Sequence, residues 1–360
     1  MNGQGSDMQR RDRMLALYKT AKGDGNMELR YAEVPSPKDN EVLIEIKAAG
    51  ICGTDIHIRH DQFPYWPPVI MGHEFSGRIV EVGFEVTNFK IGDRVVGEPH
   101  TRACGKCEMC RSGNIQLCSS KRSPGWGIDG AFTRYLVMPE NLLHHIPDSM
   151  TYEEAALVEP TANVVQDVLE RAQVFANDTV VIFGPGPIGL VALMAARAAG
   201  AGKTIMVGTK HSKTIRLPIA EELGADEIIL GDQQDPVEAI LGMTGGRGAD
   251  LVVETSGSPG AIAASFGAVR RLGRITQVGL TGGADVSIPW DQAAWKACNL
   301  YFNMSTGYSC WERAIGLIAS KKLDVAKLIS HKASLDEWEK MFDAIEKSQA
   351  LKAIFTFEGN

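Results

Sequence analysis

The chain has 360 residues, 44% apolar and 22% charged, with a formal net charge of −7; this length exceeds what one hydrophobic core usually serves, so two domains are expected. The negative balance excludes a general nucleic-acid binder or a binder of anionic membranes, and no apolar run approaches the roughly 18 residues that span a bilayer. The opening MNGQGSDMQRRDRM lacks the apolar stretch of a secretory leader, so residues 1–14 read as a disordered tail and the compartment as a reducing cytoplasm.

From residue 15 to about residue 155, short apolar runs alternate with Gly and Pro. Examples are EVLIEIKAAG (41–50), SGRIVEVG (76–83) and DRVVG (93–97). Their period of two predicts a β-rich, partly barrel-like domain. EEAALVEPTANVVQDVLERA then carries helical spacing, and from residue 177 strands and helices take turns. TVVIF (179–183) predicts a buried strand, IGLVALMAARAAG (188–200) a helix and TIMVG (204–208) a second strand. A helix over TIRLPIAEELG is expected to be kinked or interrupted by Pro218. DEIIL, ADLVVETSG, RITQVG and NLYFNMS continue the strands. Apolar strands separated by helices imply an α/β unit with a doubly wound parallel sheet. Two more helical stretches precede KAIFTF, a strand expected to return to the first domain.

The run CGKCEMCRSGNIQLC sets Cys104, Cys107, Cys110 and Cys118 at spacings suited to a tetrahedral structural zinc. Two disulfides would need an oxidising compartment, and an iron–sulfur cluster commonly closes with a three-residue gap and a proline, whereas Ser119 follows Cys118. Cys298 and Cys310 lie in apolar or aromatic surroundings and read as plain buried thiols. Upstream, CGTDIH and GHEFSGRIVEVG supply a thiolate (Cys52), an imidazole (His73) and a carboxylate (Glu74). Three protein ligands with an open fourth position are what a catalytic zinc requires.

GPGPIG places Gly184, Gly186 and Gly189 at the GxGxxG spacing, between an expected strand and an expected helix, which is the context of a dinucleotide site. Pro187, Ile188, Thr209, Lys210 and Val278 are further candidates for cofactor contact. Where an acid usually grips the ribose 2′-OH, the chain instead has Gly208, Thr209, Lys210, His211, Ser212, Lys213 and then Arg216. Absence of a carboxylate there, with basic residues present, favours NADP over NAD.

In this combination and order the motifs resemble the zinc-dependent medium-chain dehydrogenase/reductase family, over nearly the whole chain. The resemblance implies a GroES-like catalytic domain (15–165 and 305–360) interrupted by a Rossmann domain (166–304). It implies one catalytic and one structural zinc, with the catalytic ion held by Cys52 and His73 and the set completed by Glu74 or Glu159. Asp55 matches the acid that orients the ligand histidine. By the same resemblance, zinc polarises a substrate hydroxyl, Thr54 passes its proton to His57 as relay to solvent, and hydride leaves for the nicotinamide. Glu159–Pro160 is most similar to sorbitol dehydrogenase-type polyol enzymes, and CGTDIHI to L-threonine 3-dehydrogenases, which usually carry Asp-Pro at that place. The expected partner is a small alcohol, with Phe63, Tyr65 and Trp66 as candidate walls of its cleft. By analogy the assembly is a homodimer or homotetramer. A nucleotide-binding protein without zinc chemistry is the reading from another class; it would lack Cys52, His73 and Glu74 and bind one zinc or none.

Overall fold

The computed structural model describes residues 13–357. Arg13 and Met14, expected in the tail, instead open strand β1 (Arg13–Lys19), where Met14, Ala16 and Leu17 are buried; the rest of the expected tail lies outside the described residues. β1 pairs antiparallel with β2 (Met27–Glu33). Next come β3 (Glu41–Gly50), β4 (Val69–Ile70), β5 (Glu74–Val82), β6 (Arg94–Gly97), β7 (Tyr135–Pro139) and β8 (Leu143–His145). Turn residues cut these strands short, and β3 is buried on both faces over most of its length. Ile44, Ile46, Phe75, Ile79, Phe132 and neighbours form the main core, with Ile70 of β4 in a smaller cluster with Met14 and Ala16. Burial of each such side chain contributes about 1.5–3 kcal/mol.

The helical stretch after β8 is broken into two short α-helices, Tyr152–Ala156 and Val158–Val164, and a π-helical segment Val165–Arg171. It leads into β9 (Thr179–Phe183), β10 (Lys203–Gly208), β11 (Glu227–Leu230), β12 (Ala249–Glu254), β13 (Val269–Gln277) and β14 (Asn299–Phe302). These six form one parallel sheet in the order β11-β10-β9-β12-β13-β14. Starting from β9, that is the 3-2-1-4-5-6 order of a doubly wound dinucleotide fold, as the alternation of strand and helix predicts. Every residue of β9 and β12 is buried, and β9 reads accordingly as an apolar run. The two carboxylates of β12, Asp250 and Glu254, are held by hydrogen bonds from Arg247 and Arg270 and from the Ser256 and Gly257 amides. Pro218 does not interrupt its helix, Arg216–Glu222. It occupies the first turn, where backbone N–H groups have no partner within the helix, so a missing donor costs nothing.

The C-terminal helices Tyr308–Ala319 and Trp338–Glu346 are followed by β16 (Lys352–Thr356), with β15 (Ile329–Ala333) between them. β16 lies antiparallel to β3, so the chain returns to the first sheet as KAIFTF predicts, giving the order β15-β16-β3-β5-β6-β8 with β7 beside β3. Among the described residues, no helix is long and apolar enough to cross a membrane.

Candidate functional site

Register across the first sheet assembles the reactive cluster. Gly50 at the end of β3 faces Glu74 at the start of β5. Cys52, two residues beyond β3, is the N-cap of helix Gly53–Arg59, and His73 immediately precedes β5. One ligand atom from each of Cys52, His73 and Glu74 lies within 4.8 Å of the others. The Asp55 carboxylate, fully buried, accepts the Cys52 N–H through Oδ2 at 2.9 Å. Its Oδ1 stands 3.7 Å from His73 Nδ1, and both atoms are buried without a hydrogen-bond partner. With Nδ1 turned to Asp55, the other ring nitrogen of His73 is free for a ligand role. Glu159 is buried in helix Val158–Val164; its Oε1 accepts from Asn163 Nδ2 at 3.0 Å.

Electrostatics describes the same place. Burial pushes the Cys52 thiol and the Asp55 and Glu159 carboxyls up. Burial also opposes a charged His73, but Cys52 and Asp55 beside it outweigh that and carry it up to about 10. The buried Lys352 ammonium pairs with Glu74. Sulfur, nitrogen and oxygen donors converge here, with Asp55 Oδ1 and His73 Nδ1 buried and unpartnered, so the residues present fit a zinc ion.

Thr54 and His57 lie three residues apart on helix Gly53–Arg59, both half-buried, a spacing that sets them on one face. His57 Nδ1 is 3.2 Å from Gln62 Oε1. Of the three aromatic residues expected around the cleft, Phe63 alone packs toward the cluster. It meets Trp126 edge-on at 5.6 Å, and Trp126 meets His73 edge-on at 4.9 Å. Tyr65 is buried and turned elsewhere, its hydroxyl donating to Asp61 at 2.5 Å; a phenol with a carboxylate of its own is held in the fold and not offered to a cleft. Trp66 is exposed beneath the Arg122 guanidinium at 3.9 Å.

Cys104, Cys107, Cys110 and Cys118 form the second group whose ligand atoms lie within 4.8 Å of one another. All seven cysteines are free thiols. Backbone amides already point at the sulfurs: Cys104 N–H to Cys118 at 3.3 Å, Cys107 N–H to Cys104 at 3.4 Å and Cys110 N–H to Cys107 at 3.5 Å. Amides of Lys106 and Cys107 bring the Cys104 thiol down to about 6, favouring the thiolate a metal needs. Of the two cysteines read as buried, Cys310 is buried but Cys298 is half-buried, just after helix Trp290–Lys296 and packed against the core beneath the parallel sheet.

The glycine turn closes β9. Gly184 adopts φ +101°, open to glycine at little cost. A Cβ on Gly189 would lie 1.9 Å from the Gly184 carbonyl oxygen, while one on Gly186 would meet nothing within 4 Å. The third glycine therefore serves close packing, and the second faces open space at the N-terminus of helix Pro187–Ala198, where Pro187 and Ile188 begin the first turn. Thr255, from the loop after β12, donates to the Phe183 and Gly184 carbonyls at 2.8 and 2.9 Å. Val278 follows β13, its N–H bonded to the Glu254 carbonyl at 2.8 Å. Thr209 and Lys210 are exposed at the end of β10. Arg216 Nε is buried without a partner. The Lys210 N–H is held at 3.1 Å by the carboxylate of Asp232, which follows β11.

Lys352, Gly50, Trp126, Thr255 and Asp232 escaped the sequence reading. Only Lys352 left a trace there: a lysine opening an otherwise apolar strand must find an anion if the strand is buried. The others reach their sites through strand register and loop approach, which no local pattern encodes.

Two family models match the chain: the alcohol dehydrogenase GroES-like domain over residues 38–148 and the zinc-binding dehydrogenase over residues 187–320. Sorbitol dehydrogenase of Halalkalibacterium halodurans is 36% identical over 343 residues, covering 95% of this chain and 99% of that protein. L-threonine 3-dehydrogenase of Pyrococcus horikoshii is 35% identical over 355 residues, covering 96% and 99%. A crystal structure assigned as a zinc-binding dehydrogenase from Sinorhizobium meliloti 1021, bound to NADP, superposes with a TM-score of 0.89 at 30% identity, covering 96% of this chain and 99% of that one. With both family models matched in order and a parallel nucleotide-binding sheet beside a metal-competent cluster, the chain belongs to the zinc-type medium-chain alcohol dehydrogenase family and is an NAD(P)-dependent alcohol dehydrogenase acting on a small-molecule alcohol.

Proposed function

We propose that this dehydrogenase oxidises a polyol or related secondary alcohol with NADP as preferred acceptor, and that it carries two zinc ions. The catalytic ion is assigned to Cys52, His73 and Glu74, with Glu159 close by as a further carboxylate. The structural ion is assigned to Cys104, Cys107, Cys110 and Cys118. One observation carries this reading: a half-buried thiol, a buried imidazole and a buried carboxylate converge within 4.8 Å of one another. These residues fall in the segments proposed as catalytic domain, 15–165 and 305–360, and the glycine turn falls in the proposed nucleotide domain, 166–304.

Bound zinc supplies Lewis acidity that stabilises negative charge on a substrate oxygen. The chain's own residues do the rest. Asp55 fixes the His73 ring through Nδ1. The Thr54 hydroxyl takes the substrate proton at Oγ1 and gives up its own to His57, which releases it to solvent. Trp126 and Phe63 exclude water beside His73. Gly184, Gly186, Pro187, Ile188 and Gly189 cradle the pyrophosphate, and Val278 contacts the nicotinamide half.

The polyol assignment rests on Glu159–Pro160 and on the sorbitol dehydrogenase likeness. NADP is favoured because Arg216 has a buried, unpartnered Nε beyond β10; the nearby Asp232 is spent on the Lys210 backbone. A homodimer or homotetramer is proposed as well, since Trp290, Trp295 and Phe302 remain 73%, 73% and 65% exposed along the edge strand β14 and its flank. Turnover of polyols, L-threonine and simple alcohols with each cofactor tests the reading. A Thr54→Val variant should keep both cofactor and zinc yet lose at least about 100-fold in kcat. Full activity in that variant, or a strong preference for NAD or threonine, would remove the corresponding part.

A further inference from the structure

Lys352 is the first residue of β16, with its side chain 3% exposed. It reaches the metal-competent cluster across a gap that the sequence keeps open. β16, β3 and β5 are neighbours in one sheet, and Gly50 of β3 lies between Lys352 and Glu74. A Cβ on Gly50 would sit 2.4 Å from Glu74 Oε2 and 3.0 Å from Lys352 Cε. Glycine at this point lets the two side chains meet. The ammonium donates to Glu74 Oε2 and to the Ile51 carbonyl at 2.9 Å. It also faces Cys52 and Asp55.

The second carboxylate is treated in the same way. Asn163 Nδ2 holds Glu159 Oε1 at 3.0 Å. Each carboxylate therefore has one oxygen engaged by a fixed donor and one left over. A carboxylate with both oxygens free can bind a cation through both, and beside one thiol and one imidazole a Glu74 bound that way would by itself close a four-coordinate site and leave no position for substrate.

We propose that Lys352 is a positioning residue of the metal centre, engaging Oε2 of Glu74 so that Glu74 offers a single oxygen toward Cys52 and His73 and the ion keeps a vacant position. The inference rests on the reading that Cys52, His73 and Glu74 hold the catalytic ion. Nothing in it requires Lys352 to touch substrate.

Cobalt(II)-substituted protein tests it through the visible ligand-field bands, which weaken as a tetrahedral site gains a ligand. In Lys352→Met, the freed Oε2 should join the metal: the bands of the catalytic site should lose intensity and shift, while two equivalents of cobalt are retained. Lys352→Arg, which keeps a cationic donor, should restore the wild-type bands. Superimposable spectra of wild type and Lys352→Met overturn the proposal, as does loss of one cobalt equivalent in Lys352→Met. Should that variant fail to fold, Glu74→Gln is compared with Glu74→Gln/Lys352→Met, in which both buried charges are removed together. Lys352 acts only through Glu74, so these two spectra should coincide; a difference overturns the proposal. Failure of the underlying reading looks different, because wild-type protein would then take up a single equivalent of metal.

Discussion

Substituting alanine at two glycines of one turn should separate binding of the cofactor from stability of the fold. At Gly186 the backbone is at φ −74° and ψ 178°, which any residue adopts, and an added Cβ meets no atom within 4 Å. Losing glycine's N-cap preference costs a fraction of a kcal/mol, offset by the reduced entropy of the unfolded chain, so Gly186→Ala should change stability by less than about 0.5 kcal/mol. The open space is where a pyrophosphate would lie. Displacing one backbone hydrogen bond to a charged phosphate should weaken NADP by about 1.5–3 kcal/mol, or roughly 10- to 150-fold in Kd. Gly189→Ala inverts the pattern. Its Cβ would be 1.9 Å from the Gly184 carbonyl oxygen, so the helix must move away from the turn, an overpacking cost of about 1–3 kcal/mol or a Tm lowered by about 2–12 °C. Thermal melting without cofactor and fluorescence titration with NADP measure the two effects. A Gly186→Ala protein that binds NADP like wild type would refute the placement of the phosphates.

Removing one thiolate of the four-cysteine cluster, as in Cys118→Ser, should lower zinc content from about two ions per chain to about one by elemental analysis, and lower Tm with it. Asp167, buried in the π-helical segment, has its carboxyl pushed up to about 7 by burial, which outweighs Asn303 and Arg171 beside it. A raised folded pKa means the native state binds the proton more tightly than the unfolded chain. Stability is therefore lost as pH rises from about 4 to about 7 and stays level above that. Asp167→Asn should remove this decline, so denaturant unfolding at pH 5 and pH 8 should differ less in the variant than in wild type; an equal pH dependence would contradict it.

The chain's own order of residues was enough for the four-cysteine motif, the three-glycine turn and the character of each half. Cys104 to Cys118 are local enough to close on themselves, and the glycine turn needs only a strand before it and a helix after it. TVVIF read as buried because a strand covered on both faces has no polar side to display. Pro218 misled because helix interior and first turn look alike in a string of letters, whereas only the interior requires the missing N–H. Tertiary structure decided what is brought together from afar. Glu74 meets Lys352, 278 residues away in the chain, because β16 returns beside β3, and the pair fits only over the bare backbone of Gly50. Asp232 finds the Lys210 amide from a neighbouring strand, and Trp126 comes against His73 from a loop. Local spacing encodes contacts within a turn or two, while charges buried across a sheet are paired by register, which exists only once the strands have assembled.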